Sequence, residues 1–442
     1  MMMHKLLSEK STCVLEVITM MKNMLHRWNK PDKKKSVINE DIVTEILLRL
    51  PAKSIYKFKC VSKTWLKIIT DPWFGHAYNS SNGLPVLAGF FHADDNHDHL
   101  IFNPINHQLK SPSLNHVPLN LPDLYISITP TSNGLLLLCT MNGLKIVYNP
   151  VTRRRLMIPK MKGKQDWYHA FGLIHEKNNH VKAVFAYKLV TDDIQMAFEI
   201  DRIKCDNKIV GRDESPEMLA QFQCKTKEVE FRVYCSKKNE WNSKRLVSKF
   251  PRYVCFQPKQ KAGVSIGGYL YWITLDGAVV SYNSESEVAE LISSPEASTG
   301  LEAKSMYCSA NGILVYCARE RITEEVVIWE LSDRKTWIAK ERVKLHGLEN
   351  YHLRTILYVC YEMQAVFVQT TKEVYKFGMS EEKLELICSD WVTPYMMPPW
   401  PAALIGDEAW PSSSTSTSTS SSENKNSGSN PVMFIDYHEV HA

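Results

Sequence analysis

Val147-Tyr148-Asn149-Pro150 runs an aromatic residue into a turn pair, and the same wording stands 46 residues earlier as Ile101-Phe102-Asn103-Pro104. Asparagine bonds its own backbone two residues on and proline has no amide hydrogen for a ladder, so each pair ends a strand. Degenerate copies follow at Val280-Ser281-Tyr282-Asn283, Val327-Ile328-Trp329 and Glu373-Val374-Tyr375, so that aromatic positions 102, 148, 282, 329 and 375 are separated by 46, 134, 47 and 46 residues. Phe231-Arg232-Val233-Tyr234 divides the long interval into 86 and 48, and the polar stretch 201–228 reads as a loop inserted within one repeat. Strand-rich runs precede several marks: Asn133-Gly134-Leu135-Leu136-Leu137-Leu138, Gly268-Tyr269-Leu270-Tyr271-Trp272 and Asn311-Gly312-Ile313-Leu314-Val315-Tyr316. A repeat of this length made of strands and turns is the pattern of a propeller with four-stranded blades. Six blades are expected, or seven if Ala186-Tyr187 marks one of its own.

Upstream of the repeats the pattern changes to helical. Asn39 is suited to cap a helix whose first turn carries Glu40 and Asp41, and Ile42, Ile46, Leu47 and Leu50 form an apolar stripe ending at Pro51. A second short helix carries Ile55 and Phe58, and Ser62 caps a third with Trp65, Ile68 and Ile69 before Asp71-Pro72 stops it. Three short helices make a core too small to stand alone without a metal, a disulfide or a partner. The segment has neither a metal nor a disulfide pattern, so a partner is implied. Trp65 is expected to be a buried keystone of this core.

The chain is therefore an α+β multidomain protein in four zones. A Met-rich lead covers 1–36, the helical segment 37–76, the propeller 85–405, and a polar tail 406–442, whose Ser/Thr-rich run at 412–430 cannot bury enough apolar area to fold.

Composition excludes several classes. Of 442 residues, 44% are apolar and 23% charged, which suits a globular protein. The net charge of +5 is spread thinly, with short clusters such as Lys33-Lys34-Lys35 and Arg153-Arg154-Arg155 reading as solvated loops, so nucleic acid is not an expected partner. No run reaches the length of a membrane-spanning helix, and Val14–Met21 is broken by Glu16 with no cleavage site after it. Eleven cysteines without a CxxC pair, several inside apolar runs, point to a reducing compartment, hence cytoplasm, nucleus or both.

The segment from Ile38-Asn39-Glu40-Asp41-Ile42 through Leu47, Leu50-Pro51, Ile55, Phe58-Lys59-Cys60-Val61-Ser62 and Trp65 to Asp71-Pro72-Trp73-Phe74 closely resembles the F-box of plant F-box proteins. Asn39 stands where that family usually has proline. More loosely, residues 85–390 resemble the F-box-associated, kelch-like propeller, through Ser132-Asn133-Gly134-Leu135, Tyr148-Asn149-Pro150-Val151-Thr152-Arg153 and Gly267-Gly268-Tyr269-Leu270-Tyr271-Trp272. The resemblance implies a non-catalytic, cofactor-free substrate-recognition subunit of an SCF-type cullin-RING ubiquitin ligase. Its F-box would bind an SKP-family adaptor, and through it a cullin, while the propeller captures an unidentified protein. The residues it implies for adaptor binding are Ile38, Asp41, Ile42, Ile46, Leu47, Leu50, Pro51, Ile55, Phe58, Val61, Ser62 and Trp65. A non-degradative scaffold or a stand-alone binding propeller is the alternative.

Other motifs carry less. Gly263-Val264-Ser265-Ile266-Gly267 matches a nucleophile elbow, but a strand rather than a helix follows it. His92, Asp94, Asp95, His97, Asp98 and His99 have ligand chemistry yet read as a solvated hairpin tip, and Asp166, His169 and His175 are scattered. Trp241 and Trp337 occupy similar places in two repeats and are expected to pack between blades.

Overall fold

The computed structural model describes residues 39–401 apart from interior stretches, the longest being 106–115, 119–125, 162–169 and 189–225, together with Glu408–Ala409. Ile38, the lead, the Ser/Thr-rich run and most of the insertion at 201–228 lie outside the described residues. The chain divides into two compact units after Leu84.

The first unit is helical: α1 (Glu40–Leu48), α2 (Ala52–Phe58), α3 (Lys63–Thr70) and α4 (Pro72–Ser81). The three expected helices are present, and a fourth carries the unit beyond residue 76. Asp71-Pro72 ends α3, but the same pair starts α4. The Asp71 carboxylate accepts the Trp73 amide at 2.8 Å, and Pro72 sits where a helix needs no amide hydrogen. A stop signal was also a start signal.

The second unit is a six-bladed propeller. Counting strands from the innermost outward, every repeat mark falls on a third strand: Phe102 in His99–Pro104, Tyr148 in Lys145–Asn149, Phe231 and Tyr234 in Thr226–Cys235, Tyr282 in Val279–Asn283, Trp329 in Glu325–Ser332, and Tyr375 in Val374–Gly378. Ala186 and Tyr187 lie on the second strand of blade three, paired with Phe231 and Glu230, so they mark no seventh blade. The insertion separates the second and third strands of that blade, and its last residues, from Thr226, already belong to the third.

Turn chemistry explains the punctuation. The Asn149 side chain accepts the amides of Val151 and Thr152 at 2.9 and 3.0 Å, and Asn283 does the same for Glu285 and Ser286 at 2.8 and 3.2 Å. The core lies between blades. One buried cluster joins Phe90 of blade one to Val315 of blade five and Phe367 of blade six, and another joins Phe231 of blade three to Trp272 of blade four. Trp241 and Trp337 each donate an indole hydrogen to the preceding blade, to the carbonyls of Pro159 and Ser293, both at 2.8 Å.

The ring is closed by the end of the chain. Thr393–Met397 forms the innermost strand of blade one, antiparallel to Val86–Ala93, with Gly89 opposite Tyr395 beside a bulge. A side chain at Gly89 would strike the Asn103 carbonyl and the Phe102 ring. Beyond this closure, Glu408 and Ala409 pair with Arg155 and Arg154 as a short outer strand on blade two, so the propeller extends past residue 405.

Tyr395 is buried, edge-on to Phe91 at 5.1 Å, and donates to the Gly134 carbonyl at 3.2 Å. Tyr395→Ala is expected to lower the propeller's unfolding free energy by about 3–5 kcal/mol, as truncating a buried aromatic does. Trp391→Ala, at a residue 60% exposed, should stay within about 0.5 kcal/mol. Urea midpoints of the two variants check the contrast.

Candidate functional site

The helical unit sorts its apolar side chains into two sets. Val43, Leu47, Leu48, Leu50, Ala52, Ile55, Ile69, Phe74 and Tyr78 are buried. Ile42 is 53% and Val61 43% exposed, joined by Leu66 at 43% and Trp73 at 58%. Five of the thirteen large apolar side chains exposed among the described residues fall between Ile42 and Leu84. Such a concentration sets this small unit apart from the rest of the described surface.

Each candidate residue except Ile38, which lies outside the described residues, now has a place. Leu47, Leu50 and Ile55 are core; Asp41, Ile42 and Val61 face outward; Ile46, Pro51, Phe58, Ser62 and Trp65 are half-buried. On α1 the buried residues are Val43, Leu47 and Leu48, and Ile42 with Ile46 forms the neighbouring row. Trp65 is not the buried keystone expected of it. It lies edge-on to Phe58 at 5.4 Å with one side in solvent, and the fully enclosed aromatics are Phe74 and Tyr78, supplied by α4.

Side chains set the helix ends. The Asn39 side chain accepts the Asp41 amide at 3.1 Å, so the residue that replaces the family's proline holds the start of α1. Ser62 accepts the Trp65 amide at 3.2 Å. At the far end of α1, Tyr78 donates to the Leu50 carbonyl and Asn82 to the Leu48 carbonyl, both at 2.8 Å, satisfying carbonyls that a helix terminus leaves open. Burial pushes the Tyr78 hydroxyl up to about 12, with the backbone bond from Ala52 acting the other way. The signal available for α4 was Phe74 and Tyr78 four residues apart directly after Asp-Pro.

On the propeller, a cavity of about 800 Å³ opens where inner strands end. His175 and Glu176 of blade three, Gly267 and Glu285 of blade four, Ser309 of blade five and Met396 of the closing strand line it. Glu176 is paired with Lys182 at 2.9 Å. Burial raises the Cys308 thiol to about 12, which keeps it protonated and unreactive. His175 is the described member of the scattered Asp166, His169, His175 set; the other two lie outside the described residues.

The remaining motifs resolve into structure. Ser265 lies on the innermost strand of blade four, which turns through Gly267-Gly268 into Tyr269–Ile273, so no helix follows it. His92 is buried rather than solvated, 3.3 Å from the Asp390 carboxylate and 3.1 Å from Asn103, whereas Asp94 accepts from the His99 amide at 3.0 Å. The two described ends of that histidine-rich hairpin are thus engaged with different partners. Asp95, His97 and Asp98 lie outside the described residues.

Two family models match: residues 36–77 fit the F-box domain, and 110–359, more than half of the chain, fit the β-propeller described as F-box protein At3g26010-like. The chain belongs to this F-box protein family. Two Arabidopsis thaliana relatives described as F-box proteins are similar to parts of it. At1g47790 is 36% identical over 128 residues, 27% of this chain and 32% of that one. At3g52320 is 30% identical over 160 residues, 34% and 40% of the two chains. These matches span only about a third to two fifths of the relatives. Among solved structures, Porphyromonas gingivalis dipeptidyl peptidase 4 aligns over 67% of this chain and 45% of its own at 11% identity and a TM-score of 0.30, too distant to bear on function.

The F-box core makes two predictions. Trp65→Ala should cost about 1–2 kcal/mol, less than truncating an enclosed aromatic, and Tyr78→Phe about 1–3 kcal/mol because it leaves the buried Leu50 carbonyl unpaired. Amide exchange across residues 40–81 in the full chain reads both. The folded Tyr78 keeps its proton up to about pH 12, whereas the unfolded residue loses it near 10, so the unit binds more protons folded than unfolded in that window. Its stability should be whole below pH 10 and fall between 10 and 12, and Tyr78→Phe should flatten that slope.

Proposed function

We propose that this F-box protein is the substrate receptor of an SCF-type cullin-RING ubiquitin ligase. Its F-box docks on an SKP-family adaptor, which carries the cullin, and its propeller holds a protein target for ubiquitination and degradation. The observation that carries this reading is the sorting of the helical unit. A core of Val43, Leu47, Leu50, Ile55, Phe74 and Tyr78 leaves Ile42, Val61, Leu66 and Trp73 uncovered, and an apolar surface on so small a unit is stable in water when a partner buries it.

The mechanism is positional and asks no chemistry of the chain. Holding a target lysine beside a charged conjugating enzyme replaces a bimolecular encounter with a local one of high effective concentration. The cytoplasm or the nucleus suits this role, and the cysteines support a reducing environment. Cys139, Cys317 and Cys360 are buried as small apolar groups, and the eight described cysteines are all free thiols.

Co-purification with an SKP-family adaptor and a cullin tests the reading. Ile42→Glu combined with Val61→Glu changes exposed positions, so the F-box should stay folded while adaptor affinity falls at least tenfold. Leu66→Ala should weaken capture less. Undiminished capture by the double variant would remove the proposed face, and no capture by the folded wild-type chain would leave a stand-alone binding propeller.

A further inference from the structure

The cavity on the propeller opens at the end where the first and second strands of blades three, four and five turn into one another. In blade four the turn between Val264–Ile266 and Tyr269–Ile273 is Gly267-Gly268, whose φ values of 55° and 83° are both left-handed, a two-residue turn that favours glycine. In blade five Leu301–Cys308 turns into Leu314–Glu320 at Ser309. The Ser309 hydroxyl accepts the Ile313 amide at 3.1 Å and its carbonyl the Gly312 amide at 3.0 Å. The strained bulge of that innermost strand, where Ala303 has a φ of 51°, lies at its other end. A Cβ built on Gly267 or on Gly312 meets no atom within 4 Å, so both turns border open space. Short hairpins of small residues thus leave about 800 Å³ free behind walls that hydrogen bonds hold in place.

The lining divides by chemistry. Pro85, Ile174, Ile266 and Met396 supply apolar surface, Glu176 and Glu285 supply charge, and among the described residues no lysine or arginine lines the cavity. Glu176 is matched. Lys182 holds it at 2.9 Å and also reaches the Ser284 carbonyl at 3.5 Å, tying the turn of blade three to that of blade four. Glu285 follows directly on Ser284, is exposed, and makes no ion pair among the described residues. The backbone that carries it is fixed by Asn283, whose side chain accepts its amide at 2.8 Å. Two carboxylates against Lys182 leave one negative charge beside apolar surface. The volume is that of a ligand site, yet no phenylalanine, tyrosine or tryptophan lines it, whereas sites for small organic ligands are mostly apolar and aromatic. Turn backbone and small polar side chains instead offer hydrogen bonds to peptide groups.

We propose that this cavity receives a loop of a protein partner with a lysine or arginine at its tip, the aliphatic stem lying over Ile174, Ile266 and Met396 and the charged head meeting Glu285. A long basic side chain joins an apolar body to a cation, so it covers the apolar surface and matches the remaining carboxylate together. An apolar side chain would leave Glu285 unmatched, and an acidic one would repel it. The cavity stands on propeller geometry alone. The choice of a protein occupant rests on the reading of the propeller as the target-binding part, and adaptor capture through the F-box does not report on it.

The full chain, labelled with ¹³C at methionine methyl groups, gives a Met396 signal assigned by its loss in Met396→Leu. The peptide Gly-Lys-Gly, blocked at both ends, should move that signal saturably. Its norleucine counterpart, which has the stem without the charge, should need a several-fold higher concentration. Glu285→Gln, at an exposed turn position where the fold does not depend on the carboxylate, should remove that difference, and Glu285→Lys should make the norleucine peptide the tighter of the two. A Met396 signal that neither peptide moves overturns the site. An equal response to the two peptides, or a difference that survives Glu285→Gln, overturns the basic occupant. Saturation by butylammonium at a lower concentration than Gly-Lys-Gly overturns the protein source in favour of a small organic cation. Loss of adaptor capture with this titration intact would sink the ligase reading and leave the cavity, and a failed titration with capture intact would do the reverse.

Discussion

Gln369, buried on the second strand of blade six, donates to the Asp390 carbonyl at 2.6 Å and accepts the Val392 amide at 3.4 Å, and from Thr393 the chain becomes the innermost strand of blade one. On that strand Thr393 donates to the Ile128 carbonyl of blade two at 3.1 Å, and Tyr395 reaches Gly134 in the same blade. One short strand therefore binds blade one by its ladder, blade two by two side chains and blade six through the residues before it. The cores depend on this, because they lie between blades rather than within them: Phe90 on blade one meets Phe367 on blade six at 5.4 Å, a contact that exists only in a closed ring. Without closure the first and last sheets would present unpaired faces and an edge strand to water.

The repeat was legible in the sequence because its marks are local. Tyr148 and Tyr282, on third strands, run straight into turns whose asparagines, Asn149 and Asn283, accept two amides each. The closing strand was not legible. Thr393-Pro394-Tyr395-Met396-Met397 carries neither the aromatic-turn mark nor clear alternation, and its partner lies about three hundred residues away in the chain. Pro394 is accommodated within it opposite Phe90. Nor does the sequence announce that Glu408 and Ala409 add an outer strand to blade two, since two residues have no period.

In the F-box the apolar set was legible but its division was not. Ile42 and Val43 are adjacent β-branched residues on one helix, and a rotation of one position exchanges core for surface. What fixes the rotation is α4, whose Phe74 and Tyr78 fill the interior and whose Tyr78 and Asn82 side chains hold the end of α1. Because Asp71-Pro72 ends one helix and begins the next, a reading that stops there loses the element that decides which of the two residues faces out. Trp65 then inherits the role of filler by default, although Phe58 covers just one side of it.

An orphan hydroxyl in a packed propeller is not by itself a sign of function. Tyr282 is as buried as Tyr316 and also lacks a hydrogen-bond partner among the described residues, yet its ring lies stacked on Phe231 at 5.0 Å in an apolar setting, where it serves as a large side chain. Tyr234 and Tyr375 resolve the same problem with Asn239 at 2.9 Å and Glu373 at 2.6 Å. Tyr316 differs in its neighbours. Its oxygen shares its surroundings with the ammonium of Lys304, and that cation is held there by a strained bulge rather than released to solvent. A chain under no constraint at this place could relax Ala303 and let Lys304 extend into water, gaining solvation and losing strain together. That two costs persist side by side shows that packing between blades four and five outweighs them there.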